Sequence, residues 1–150
     1  MTASRPPSPS SEQGTSSPRA TGVRRFPPVP ASVAAARRFV DGLLSGSDPE
    51  LCERAVLIVS ELATNALRHV GSAFTVELDA GSASTYLAVA DESPVPPRPR
   101  TPEPTETGGR GMQIVDAVAD DWGVDARAAG KIVWCRLDAS GSGAARPVRG

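Results

Sequence analysis

Apolar residues recur along the chain at two different periods, and the switch between them lays out the elements. Over residues 33–44, Val33, Ala36, Phe39, Val40, Leu43 and Leu44 return at three- and four-residue spacing, the stripe of an amphipathic helix. Ser32 stands where a cap is expected. Gly46-Ser-Asp-Pro-Glu50 interrupts the pattern, and Asp48 followed by Pro49 predicts the N-cap and first position of a second helix. That helix is expected to run from Pro49 to about Val70. At ~100° per residue, Leu51, Ala55, Ile58, Leu62, Ala66 and Val70 fall on one arc, roughly 60° to 180° from Glu61, which is its core face. Arg54, Leu57, Thr64, Asn65 and Arg68 lie within about 60° of Glu61, so Glu61 and Asn65 point the same way.

The period then shortens to two. Residues 74–78 alternate apolar and polar, Ala80-Gly-Ser-Ala turns the chain, and residues 85–90 read as a more apolar strand, together a hairpin. Residues 23–30, with Phe26 and three prolines, suit an edge strand. Six prolines between Ser93 and Thr107 exclude helix and central strand and predict a long loop. Such loops in small domains are functional lids or disorder. After Gly108-Gly-Arg-Gly111 a helix is expected, with Met112, Ile114, Val115, Val118 and Ala119 on its apolar side. Strands over residues 122–126 and 131–137, joined by Arg-Ala-Ala-Gly130, close the pattern. This order predicts an α/β two-layer sandwich, with helices packed on one face of a mixed, largely antiparallel sheet.

Composition narrows this to one domain. A chain of 150 residues supports a single core. Residues 1–22, rich in Ser and Pro, read as a disordered tail; residues 139–150, rich in Gly, Ala, Arg and Ser, read as a flexible one. Residues 23–138 are left as the folded unit. With 16 basic against 17 acidic residues and 4% aromatics, the chain has neither the field nor the stacking platforms for nucleic acid. No stretch has the length of a membrane span or the apolar run of a secretory signal, so a cytoplasmic protein is expected. Cys52 and Cys135 form no C-x-x-C pair and read as small buried hydrophobes.

Three constellations carry candidate chemistry. Glu61 and Asn65 place a carboxylate that can deprotonate a nucleophile one turn from an amide oxygen that can ligate a hard cation. Gly108-Gly-Arg-Gly111 before a helix can bring backbone N–H groups to phosphate. Asp91, ending an apolar strand, can accept from an exocyclic amine. Each signal alone has an ordinary reading: a solvated helix face, a flexible lead into a helix, a turn-forming Asp. His69 falls at the shoulder of the core arc and reads as packed or capping, Arg68 as a salt-bridge partner, and Arg110 as exposed or phosphate-facing. Trp122 and Trp134 read as core.

Taken in order, the segments RRFPPVPASVAAARRFV, LIVSELATNALRHV, TGGRGMQIVDAVADDWGV and GKIVWCRL resemble the GHKL, or histidine kinase-like, ATPase superfamily, and within it the small anti-sigma factor-like serine/threonine kinases of actinobacterial type. The resemblance spans nearly all of residues 23–138. It implies ATP and Mg2+ as cofactors, Glu61 as general base, Asn65 as magnesium ligand, and Asp91 as the reader of adenine. It implies phosphate contacts from Gly109, Arg110, Gly111 and the helix beginning at Met112, with residues 93–107 as the nucleotide lid. In the resembled branch the partners are a sigma factor or similar target and a small antagonist protein that is phosphorylated; dimers are common there. One departure stands out: Ser93 and Val95 replace both glycines of the pattern D-x-G-x-G that begins at Asp91. That departure motivates an alternative, a non-catalytic ATP-binding module that regulates a partner by binding alone.

Overall fold

The structure, a computed structural model, describes residues 20–92 and 107–139, with residues 69, 70 and 107–111 described by backbone alone. Helix α1 spans Ala31–Leu43, and Ser32 is not its cap. Pro30 already has helical angles, φ −56° and ψ −34°, and takes the N-cap position, because the ring presets the turn. The Ser32 hydroxyl instead donates to the Pro27 carbonyl at 2.7 Å, tying the helix to the segment before it. Ala36 and Val40 are fully buried.

Helix α2, Pro49–Asn65, has Asp48 at its N-cap and Pro49 in its first turn, as the sequence predicts. Its buried arc is wider than the sequence pattern, taking in Val59 and Ala63 beside Ala55, Ile58 and Leu62. The reason is that α2 packs against α1, against the sheet and against a third helix, α3, Thr107–Val118. Past Asn65 the helix continues to Val70 in a π-helical turn, Ala66–Val70, closed by the Gly71 N–H donating to the Ala66 carbonyl at 2.9 Å. Gly71 ends it at φ 66°, a conformation glycine adopts without steric cost. Helix α3 begins at Thr107, so residues 108–111 form its first turn; the sequence reading had placed them ahead of the helix.

The five described strands are β1, Ala20–Phe26; β2, Phe74–Ala80; β3, Ser84–Asp91; β4, Asp121–Arg127; and β5, Gly130–Asp138. They lie in the order β1-β2-β3-β5-β4, and every adjacent pair is antiparallel. Strand β1 is an edge, as expected, but it ends at Phe26 ahead of the three prolines and takes in residues 20–22, which pair with β2 instead of belonging to the tail. The three described α-helices cover one face of this sheet, giving the two-layer α/β sandwich. Strand alternation sends Val76, Leu78, Leu87, Val89, Val133, Cys135 and Leu137 into that layer, where Phe26 stacks on Phe74 at 5.4 Å. Each such aliphatic or aromatic side chain contributes about 1.5–3 kcal/mol by its burial.

Residues of opposite parity, Tyr86, Ala88, Ile132 and Trp134, form a smaller cluster on the other face. The Trp134 ring lies over Gly123, where an added Cβ would come within 2.7 Å of it. Both tryptophans pack as expected but on opposite faces. Trp122 packs against the helix-side core, half-buried, and its indole N–H donates to Asp116 Oδ1 on α3 at 2.8 Å. The cysteines also divide. Cys135 is fully buried, but Cys52 is only half-buried, and its Sγ donates to Asp41 Oδ1 at 3.1 Å.

Arg54, placed on the polar stripe of α2, is in fact a structural hub. Its guanidinium donates to the Val118 carbonyl at 3.0 Å, to the Asp138 carbonyl at 3.3 Å and to Asp120 Oδ2 at 2.7 Å. Asp120 Oδ2 in turn accepts the Asp138 N–H at 2.7 Å. One planar fork thereby joins α2, the C-terminal end of α3 and the last strand.

Candidate functional site

Asp91 is the last residue of β3, on the helix-facing side, and its side chain is 5% exposed. Asn65 is the last residue of α2 before the π-helical turn, a local departure that recurs at functional positions. Met112 comes from α3. These three line one cavity of about 40 Å³, with Leu62, Val89 and Lys131 among the other walls. Three elements far apart in sequence thus deliver three of the candidate residues to one place. Glu61 lies one turn before Asn65, half-buried, and is not among the residues lining the cavity. Residues 109–111 form part of the first turn of α3, and the side chain of Arg110 lies outside the described residues.

Lys131 engages both oxygens of the Asp91 carboxylate. Its backbone N–H donates to Oδ1 at 3.2 Å and its ammonium to Oδ2 at 2.6 Å. The approach depends on Gly130, at φ 108°, where an added Cβ would fall 2.2 Å from the Asp91 carbonyl oxygen. Glu92, the next residue, is held from two sides. Its carboxylate takes a fork from Arg25, Nε to Oε2 at 2.6 Å and Nη2 to Oε1 at 2.8 Å, and its N–H donates to Ser72 Oγ at 3.0 Å. The hydrogen bond from Arg25 lowers the Glu92 pKa, and the same bond raises that of Arg25. The exit from β3 is therefore anchored just where the proline-rich segment begins. Ser93, Val95 and the rest of residues 93–106 lie outside the described residues, as does the side chain of His69. Arg68 is exposed, and among the described residues no ion pair joins it to Glu61.

Sequence reasoning did not single out Lys131. A signal was present: it is the sole lysine of the 150 residues, every other basic side chain apart from His69 being arginine. Among the described residues no group of three or more His, Cys, Asp or Glu side chains could cage a metal ion, and no helix is long and apolar enough to cross a membrane.

A family model described as the histidine kinase-like ATPase domain matches residues 26–137. The chain belongs to the histidine kinase-like ATPase family. The matched span runs from the last residue of β1 to the penultimate residue of β5, so this histidine kinase-like ATPase domain takes in the three described α-helices and the site between them. Among solved structures, the crystal structure of the RsbU and RsbW domains of Rv1364c from Mycobacterium tuberculosis is similar, with a TM-score of 0.61 at 16% identity. The match covers 86% of this chain and 33% of that one, so the chain spans about a third of that protein's chain, and the likeness is one of fold. No curated protein matches the chain.

Proposed function

We propose that this protein is an ATP-binding regulatory protein, a serine/threonine protein kinase of the anti-sigma factor-like kind that phosphorylates a small antagonist protein. The observation that carries this reading is the meeting of Asn65, Asp91 and Met112 around one cavity in a histidine kinase-like ATPase domain. The donor set suits the ligand. Asp91 is a buried acceptor for the exocyclic amine of adenine. The Asn65 amide oxygen suits Mg2+, which takes few protein ligands and keeps water and phosphate oxygens for the rest. Backbone N–H groups of the first turn of α3 suit phosphate. When bound, ATP supplies the phosphoryl group. Glu61, one turn from Asn65, accepts the proton of the attacking serine or threonine hydroxyl. Its partners in this reading are a sigma factor or similar target and the antagonist, in a cytoplasmic setting, with a homodimer as the resembled branch suggests.

Calorimetry with Mg-ATP and transfer of labelled phosphate to candidate antagonists test it. Asp91→Asn is expected to weaken binding about tenfold or more. Glu61→Ala is expected to spare binding and slow transfer about 10²–10⁴-fold. No heat with Mg-ATP would remove nucleotide from the account, and unchanged transfer in Glu61→Ala would remove Glu61 as the base. The second reading, an ATP-binding module that regulates by occupancy alone, is favoured by Ser93 and Val95 in place of glycines. Binding without transfer to any antagonist selects it.

A further inference from the structure

Asp91, the carboxylate assigned to adenine, already holds a charged partner in this structure. Lys131 supplies a backbone donor to one oxygen and an ammonium to the other, so one residue occupies both sides of the carboxylate. The two partners differ in freedom. Asp91 is 5% exposed and fixed at the end of β3, whereas the Lys131 side chain is 36% exposed and can carry its charge out to solvent on a flexible stem. An arginine fork would hold a carboxylate more rigidly, and arginine stands at every other Lys or Arg position of this chain.

We infer that Lys131 is an internal competitor for the base: its ammonium sits on the carboxylate that an adenine amine would use, and the base gains Asp91 by displacing it. The inference rests on the ATP-binding reading above and adds to it a residue that sets affinity. An exocyclic amine is a neutral donor, so its hydrogen bond to the carboxylate lacks the ion-pair attraction of the ammonium it replaces. The exchange therefore costs binding affinity, and the cost is lifted when the ammonium is removed. Because the competition is at the base end, it acts on adenosine as well as on adenine nucleotides.

Titration calorimetry of the full chain with adenosine and with Mg-ADP tests this on wild type, Lys131→Met and Lys131→Arg. Lys131→Met, which keeps a long stem without charge, is expected to bind both probes about tenfold or more tightly than wild type. Lys131→Arg, which keeps the pair, is expected not to gain affinity. The adenosine arm separates the base from any effect of lost charge on phosphates. A wild type that binds both probes weakly, beside a Lys131→Met that binds them about tenfold or more tightly, supports the inference. Wild type that binds, with Lys131→Met no tighter, overturns the inference and leaves the ATP reading standing. No binding by any of the three overturns the ATP reading and this inference with it. Should Lys131→Met fail to fold, the sole lysine offers a measurement on wild type. Acylation of its amine, read by mass spectrometry, is expected to rise several-fold when adenosine saturates the protein, and a fall or no change overturns the inference.

Discussion

Single residues differ in how far their surroundings could be read from the chain. Asp91 was legible as a candidate because it ends an apolar strand, but its partner was not, since Lys131 lies forty positions away and meets it only through the register of β3 and β5. Cys135 shows the easier case. An alternating strand places it in the core, and burial pushes its thiol up to about 12 from an ordinary 9.0. A raised folded-state pKa favours the neutral thiol, so this contribution is fully present below about pH 9 and is lost as pH rises toward about 12. Denaturant unfolding across that window is expected to show wild type losing up to about 1.4 kcal/mol per pH unit relative to Cys135→Ala. Cys52, raised to about 11 by burial and then by its bond to Asp41, adds a smaller loss in the same direction.

At the scale of elements, the sequence pattern pointed to the three described helices and to β2 to β5, because each buries a continuous stripe or alternate face; β1, with little of it buried, was expected three residues too late. What it missed were contacts made at element ends. Ser32 looked like a cap but bonds backward to Pro27. The turn after Asn65 looked like plain helix but changes its hydrogen-bond step. Arg54 looked like a solvent-facing residue because a helical wheel contains no neighbouring helix. Its three acceptors lie on α3, on β5 and on the link between α3 and β4. Removing the guanidinium leaves partly buried carbonyls and the Asp120 carboxylate short of a donor. Arg54→Met is expected to cost about 2–4 kcal/mol in urea unfolding. In a double-mutant cycle with Asp120→Asn, part of that cost is expected to vanish, as residues in one network couple.

For the whole molecule, the sheet sorts side chains by parity onto two faces that do different work. One face carries the helices and the cavity between Asn65, Asp91 and Met112; the other carries the small cluster around Trp134. The chain has only two tryptophans, and the sheet puts one on each face. Trp122 is tied to Asp116 on α3, the helix whose first turn holds residues 108–111, while Trp134 rests on Gly123 away from the helices. The molecule therefore carries two optical reporters with a sheet between them. In the single-tryptophan forms Trp134→Phe and Trp122→Phe, saturating Mg-ATP is expected to shift the emission of Trp122 and leave that of Trp134 in place. A shift confined to Trp134 would put the nucleotide on the wrong side of the sheet. Fluorescence thus gives each face of the sheet its own reporter, and ligand can be assigned to a face without a label.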